Sequence, residues 1–220
     1  MSGFIVTVDG PAGSGKSTIA KLIAKKYNLT YLDTGAMYRM IALYVIKHSI
    51  DLEDKKAIAD MLEKVDLDIV GDKFYLDGED VTEMIRTPEV NKIVSPVAAI
   101  KEVRQKLVEM QRAISKGKRT ILDGRDIGTA VFPKADVKIF LIASPEVRAL
   151  RRLKEYEQKG VNTTYEEVLE SIKERDHIDS TRKESPLVKA EDAHEVDSSK
   201  MTIDKVVDKI SEYIEEKIGE

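Results

Sequence analysis

The chain has 220 residues, with 36 Lys or Arg against 40 Asp or Glu, a formal net charge of −4, no Cys and three His. This length fits one domain, or one core with insertions, and a core of that size needs no disulfide or metal to hold it together. The composition excludes thiolate nucleophiles and Cys-built zinc sites, makes a His-built metal centre improbable because His48, His177 and His194 are scattered, and gives no one-sided basic field for nucleic acid.

Met1-Ser2-Gly3 carries no charged leader and runs straight into Phe4 to Val8, so no secretory signal is expected. No apolar run approaches the ~18 residues of a membrane span. The chain therefore reads as soluble and cytoplasmic. Phe4 to Val8 is a short β-branched run ending at Asp9-Gly10, a buried strand. From Lys16 the apolar positions Ile19, Leu22 and Ile23 follow helical spacing, with Asn28 as the stop. Thr30 to Leu32 reads as a second strand and Met37 to His48 as a helix, whose Met37, Met40, Leu43 and Tyr44 stripe is core.

The texture then changes. A short helix at Lys55 to Lys64 precedes Leu67 to Val70 and Phe74 to Leu76 around Gly71-Asp72, an antiparallel hairpin foreign to a parallel core and so an insertion. Pro88 to Lys116 is helical, with a break expected near Ser95-Pro96 because proline disfavours helix at the residue before it. Thr120 to Leu122 and Val137 to Ala143 supply further buried strands. Ser144-Pro145-Glu146 starts a helix running toward Gly160, and Thr164 to Glu167 fits a capping box opening another toward residue 178. Glu195 to Asp197 is a last strand and Ile203 to Ile218 a closing amphipathic helix. The expected fold is α/β: a P-loop doubly wound parallel sheet with an inserted small antiparallel subdomain and a helical lid. Its core takes residues 1–35, 117–147 and 171–220, its second region about 36–116 with the insert at about 60–95, and its lid about 148–170.

Gly10-Pro11-Ala12-Gly13-Ser14-Gly15-Lys16-Ser17 matches G-x-x-x-x-G-K-[ST] at every fixed position, between a strand and a helix as the motif requires. The glycines let backbone N–H groups converge on phosphate oxygens, the helix N-terminus adds its dipole, Lys16 reaches the β/γ-phosphates and Ser17 is expected to hold Mg²⁺. Thr18 completes the nucleotide contacts. The one Asn-Lys pair, Asn91-Lys92, continues as Ile93-Val94 and so excludes guanine reading through N-K-x-D. Of 11 Arg, eight sit at positions 39, 104, 125, 148, 151, 152, 175 and 182, and a short chain with clustered Arg points to γ-phosphoryl transfer onto a small acceptor.

Three further motifs join the cradle: Asp33-Thr34-Gly35-Ala36-Met37-Tyr38-Arg39, Leu122 to Thr129 with Gly124-Arg125-Asp126, and Lys173-Glu174-Arg175-Asp176-x-x-Asp179-x-x-Arg182. Together and in this order they resemble the bacterial cytidylate kinases, nucleoside monophosphate kinases, over nearly the whole chain. The resemblance implies phosphoryl transfer from ATP to CMP or dCMP, with core, monophosphate-binding and lid regions. It also implies that Arg175 and Asp179 serve the sugar and Arg182 the phosphate, that Thr34, Ser95 and Arg104 complete recognition of the base edge, and that Arg39 and Arg125 lie toward the phosphate.

The residue types agree with these roles. Arg175, Asp179 and Arg182 fall at i, i+4 and i+7, one face if all three lie on one helix, and two guanidiniums around a carboxylate can grip phosphate while accepting from ribose hydroxyls. The other reading is an exposed Arg-Asp-Arg ladder. Asp126, at the end of a strand, can accept from the 4-amino group of cytosine where uracil presents an oxygen. Asp123 holds Mg²⁺-bound water or only fixes its turn. Arg148, Arg151 and Arg152 share a helix face, either solvated or closing over the triphosphate, where an Arg is worth ~10³-fold or more in rate. Lys16, Arg125, Arg148, Arg152 and Arg182 are thus the catalytic candidates, with Arg151 on the ATP side. CMP, dCMP and ATP are the expected partners, with no nucleic acid or membrane, and a monomer is expected. Two rivals stay open: a kinase of another small acceptor, and a nucleotide-gated regulator signalling through the hairpin.

Overall fold

A computed structural model describes residues 3–158 and 160–219, so Met1, Ser2, the lid position Lys159 and Glu220 lie outside the described residues. Strand β1 (Ile5–Asp9) runs through the centre of a five-stranded sheet of order β2-β6-β1-β7-β8, with β2 at Thr30–Asp33, β6 at Thr120–Gly124, β7 at Val137–Ile142 and β8 at His194–Asp197. β1 pairs in parallel with β6 on one side and β7 on the other, and β7 with β8. A strand whose neighbours lead away on both sides makes a crevice at its carboxyl end, which is where such sheets bind ligands. The glycine-rich loop occupies that end of β1.

Alternation along β1 sends Val6 and Val8 into the core. There they meet Ile19, Ala20 and Ile23 of α1 (Lys16–Tyr27), Ile121 of β6, Ile139 and Leu141 of β7, and Val206, Ile210 and Ile214 of α8 (Ile203–Gly219). Helix α1 stops as expected at Asn28, which takes φ 51° and sends its N–H to Ala24 O. The loop's first glycine is irreplaceable on steric grounds: at φ 150° a Cβ on Gly10 would lie 2.0 Å from Leu141 O.

The chain divides into two compact units, Met1–Leu32 with Ser115–Glu220, and Asp33–Ile114. Within the second, α2 (Thr34–Lys47) begins three residues before the expected start, because the Asp33 side chain caps it by accepting from Ala36 N–H at 2.9 Å. Met37, Met40 and Leu43 are buried, so the apolar stripe is core. After α3 (Lys55–Lys64), the insertion is a three-stranded antiparallel sheet of β3 (Leu67–Val70), β4 (Lys73–Leu76) and the two-residue β5 (Glu79–Asp80), one strand more than expected.

Helix α4 (Pro88–Ala99) contains Pro96 in its interior, and the break before α5 (Lys101–Ser115) falls at Ile100, not at Ser95-Pro96. The buried Val90, Val94, Val97 and Ala98 hold the helix through the proline.

The segment expected to form a lid belongs to the first unit. Helices α6 (Pro145–Gln158) and α7 (Tyr165–Thr181) pack around Ala149, Val168 and Ile172, with Leu153, Tyr156, Tyr165 and Leu169 at the edge. The capping box is formed: Thr164 Oγ1 accepts from Glu167 N–H at 3.2 Å and Glu167 Oε2 from Thr164 N–H at 2.8 Å.

Candidate active site

Lys16 opens α1 with only 5% of its surface exposed, and its ammonium folds back over the loop, donating to Pro11 O at 2.7 Å. Burial, with the Arg125 guanidinium second, pushes this ammonium well below the usual lysine range. Ser17 Oγ donates to Asp123 Oδ2 at 3.0 Å, and Tyr31 OH to Asp123 Oδ1 at 2.7 Å. The loop hydroxyl and the strand-end carboxylate expected to share a metal thus meet side by side. Such hard oxygen donors suit Mg²⁺, which takes one or two protein oxygens and fills its shell with water and substrate phosphate. Thr18, next along the helix, is exposed.

Beside the cradle lies a cluster of guanidiniums. Arg125 Nε donates to Asp179 Oδ2 at 2.9 Å, and Arg175 Nε lies 4.0 Å from the same oxygen. Burial alone would raise Asp179, but Arg125 and Arg175 outweigh it and hold the carboxyl below its usual range. Arg175 is pushed down to about 10 by burial and by Arg125, although a fifth of its side chain stays exposed.

Arg182 Nη2 reaches Asp126 Oδ1 at 3.4 Å, a pair in which both side chains are almost fully buried. Arg182 is not on the helix that carries Arg175 and Asp179. It caps α7 with extended backbone (φ −58°, ψ 143°), and its Nε and Nη2 also donate to Ser185 O at 2.9 and 2.7 Å. The three residues still gather, through the turn and not through one helix face. His177 is exposed, as a surface histidine should be.

The three arginines of α6 separate by environment. Arg148, 2% exposed, donates to Ala143 O, to Ala12 O of the phosphate loop and through both Nη atoms to Asp176 at 3.0 and 2.6 Å. Arg151 ties Ser14 O of the loop to Ser198 O beyond β8. Arg152 lies over the Tyr156 ring and 3.5 Å from the exposed Glu155.

In the second unit Thr34 and Ser95 are buried on α2 and α4. Arg104 donates to Ala98 O and lies over the Tyr38 ring, while Arg39 donates to Ile85 O and to Asn91 Oδ1 at 2.6 Å.

Sequence reasoning passed over Asp9, Tyr31 and Asp176. Asp9 had a signal, a carboxylate between a buried strand and the loop's first glycine. Asp176 stood inside the Lys173 to Arg182 motif, but its partner 28 residues away was not legible.

A glycine-rich loop at the end of a central parallel strand, a buried lysine within it and guanidiniums at its side define a P-loop phosphotransferase. The cytidylate kinase family model matches residues 6–216. The chain is 59% identical over 215 residues to the cytidylate kinase of Fusobacterium nucleatum, covering 98% of this chain and 99% of that one. It is 53% identical over 210 residues to the cytidylate kinase of Clostridioides difficile, covering 96% and 97%. A solved structure, an uncharacterized protein from Eubacterium ventriosum, shares the fold with a TM-score of 0.56 at 13% identity, over 97% of this chain and 98% of that one. The chain belongs to the cytidylate kinase family.

Proposed function

We propose that this chain transfers the γ-phosphoryl group of ATP to CMP or dCMP, giving CDP or dCDP and ADP. The observation that supports this reading best is the arginine and carboxylate cluster of Arg125, Asp126, Arg175, Asp179 and Arg182 built beside the buried Lys16. Cations this close together and this far from water call for a polyanion.

The residues divide the work by position. Backbone N–H groups of Gly10 to Gly15 and the α1 N-terminus take the ATP phosphates. Ser17 and Asp123, which meet at 3.0 Å, would hold Mg²⁺, directly or through water, and the ion when bound would supply neutralisation of the triphosphate charge. Lys16, Arg125 and Arg182 face the transferring group and the acceptor phosphate. Arg175 and Asp179 serve the sugar, and Asp126 accepts from the cytosine 4-amino group. Arg148 and Arg151 set the phosphate loop's shape through the Ala12 and Ser14 carbonyls, which leaves Arg152 as the lid arginine for the triphosphate. Thr34, Arg39, Ser95 and Arg104 contribute to the monophosphate site on the family resemblance. No covalent nucleophile is required, since phosphoryl transfer is governed by positioning and charge stabilisation.

No helix among the described residues is long and apolar enough to cross a membrane, and we place the enzyme in the cytoplasm as a monomer. The test is an acceptor panel of CMP, dCMP, UMP, AMP and GMP with ATP and Mg²⁺. ADP forming stoichiometrically with CDP and dCDP supports the reading. A better acceptor than both CMP and dCMP in the panel overturns it, and ATP binding without turnover on any acceptor favours the regulator.

A further inference from the structure

Strand β1 splits its side chains by face. Val6 and Val8 enter the core under α1 and α8, whereas Thr7 and Asp9 turn to the other side, against a π-helical turn at Ile127–Val131. Asp9 is 4% exposed, and both carboxylate oxygens are used: Oδ1 accepts from Ile127 N–H at 2.8 Å and Oδ2 from Gly128 N–H at 2.7 Å. Gly128 has no room for a side chain, because a Cβ there would stand 2.9 Å from Thr7 Oγ1, 3.2 Å from Lys138 Cδ and 3.3 Å from Asp9 Oδ2. The turn that follows Arg125 and Asp126 is therefore clamped, by two backbone donors, to a carboxylate one residue before Gly10.

We propose that Asp9 is a positioning residue for acceptor recognition: by holding the Ile127 and Gly128 amides it fixes Arg125 and Asp126 relative to the phosphate loop. This rests on the acceptor-site reading above, in which the Arg125-Asp126 segment receives CMP.

Two physical features separate such a clamp from ordinary scaffolding. The first is its cost. Burial pushes Asp9 up to about 6; the Gly128 and Ile127 amides and Lys16 pull it down, and Asp126 adds to the rise. Those are the charged groups that face it, since the nearby Lys138 ammonium is taken up by Asp192 and Pro133 O. A carboxyl whose pKa is raised by folding binds its proton more tightly in the folded chain, so its contribution to stability falls as pH rises from the ordinary carboxylate range through about 6. An ionised Asp9 opposes stability. The second feature is symmetry, since only the ionised form offers two equivalent acceptors to two N–H groups, and the neutral acid gives one of them up.

The experiment compares wild type with Asp9→Asn by calorimetric binding of CMP and of ATP, by KM and kcat, and by melting temperature, between about pH 5 and 8. At the upper end the variant should bind CMP about tenfold more weakly, hold ATP within about a factor of two, and melt no lower than wild type. Towards the lower end the wild type's advantage for CMP should vanish. CMP's own phosphate titrates near pH 6, but it does so against both proteins and cancels in their ratio.

In wild-type protein the Ile127 and Gly128 amide resonances should titrate together with a midpoint of about 6. That measurement needs no variant and decides the matter if Asp9→Asn misfolds. Equal losses for CMP and ATP with a lower melting temperature, an unchanged CMP affinity, or amides that stay still across the range would each overturn the proposal. The acceptor reading fails separately, through an unchanged CMP-to-UMP ratio in Asp126→Asn.

Discussion

At Lys16 a cation is held at 5% exposure with guanidiniums as its neighbours and loop carbonyl Pro11 O as its partner. On the proposed mechanism, replacing Lys16 with Ala removes charge that acts chiefly in the transition state, while Ala suits the first turn of a helix. We expect kcat to fall on the order of 10²-fold or more with the melting temperature unchanged or raised. Retention of over about half the activity would remove Lys16 from the transition state. Asp126 tests the base. On the proposed acceptor reading, UMP in the pose of CMP would turn a carbonyl oxygen to this carboxylate, and sites built to receive a substrate amine reject analogues lacking it by ~10⁴-fold. Asp126→Asn can turn an amide donor to the uracil oxygen, so kcat/KM for CMP and UMP should converge, chiefly through loss on CMP. A wild-type ratio in the variant would give Asp126 a structural role, of which its pairing with Arg182 is one part.

Between elements, the contact open to test is the fork from Arg148 of α6 to Asp176 of α7, which also carries Ala12 O of the phosphate loop. Asp176→Asn leaves a guanidinium at 3% side-chain exposure with half its fork, and because Asp176 itself is 26% exposed the cost should be about 2 kcal/mol, below that of a fully buried pair. Differential scanning calorimetry should show a drop of roughly 4–8 °C, and KM for ATP should rise while KM for CMP holds. An unaltered melting temperature would mean that water replaces the fork.

The G-x-x-x-x-G-K-S loop, the Asn28 stop and the Thr164 to Glu167 capping box are local chemistry, and all three are found as read. The helix running through Pro96 is not local, because the buried Val94, Val97 and Ala98 around the proline outweigh its preference. Strand β5 is two acidic residues with no strand propensity of their own, made a strand by pairing with β4. The π-helical turn at Ile127–Val131 has no periodicity to detect, and Asp9, which anchors it, lies over a hundred residues away. Arg182 left the expected helix face because α7 ends at Thr181. There the Ser180 and Thr181 hydroxyls bond back to the Asp176 and His177 carbonyls, a competition that spacing alone does not display.

Taken whole, the first unit concentrates positive charge where it is least solvated, although the chain is acidic overall at −4. Lys16 and Arg175 both have lowered pKa values, from burial first and Arg125 second, while Asp179 is set against Arg175, and Asp123 and Asp9 against Lys16. The arrangement is poised for an anion and is destabilising without one, since buried like charges repel and each loses hydration. Arg175 is the place to relieve it: its Nε has no hydrogen-bond partner, and its nearest carboxylate oxygen, at 4.0 Å, already accepts from Arg125. Arg175→Met keeps the aliphatic stem and removes one cation. Without ligand the variant should melt roughly 2–4 °C higher, for a gain on the order of 1 kcal/mol, discounted because a fifth of the side chain is exposed. A saturating nucleotide stabilises by RT ln(1 + [L]/Kd), so at a CMP concentration about 100 times the wild-type Kd the native protein should gain about 2.7 kcal/mol. The variant should gain much less with CMP while ATP still stabilises it. The two effects must appear together: a variant that melts lower without ligand, or keeps the full CMP-dependent rise, would show that Arg175 belongs to the scaffold and not to the acceptor site.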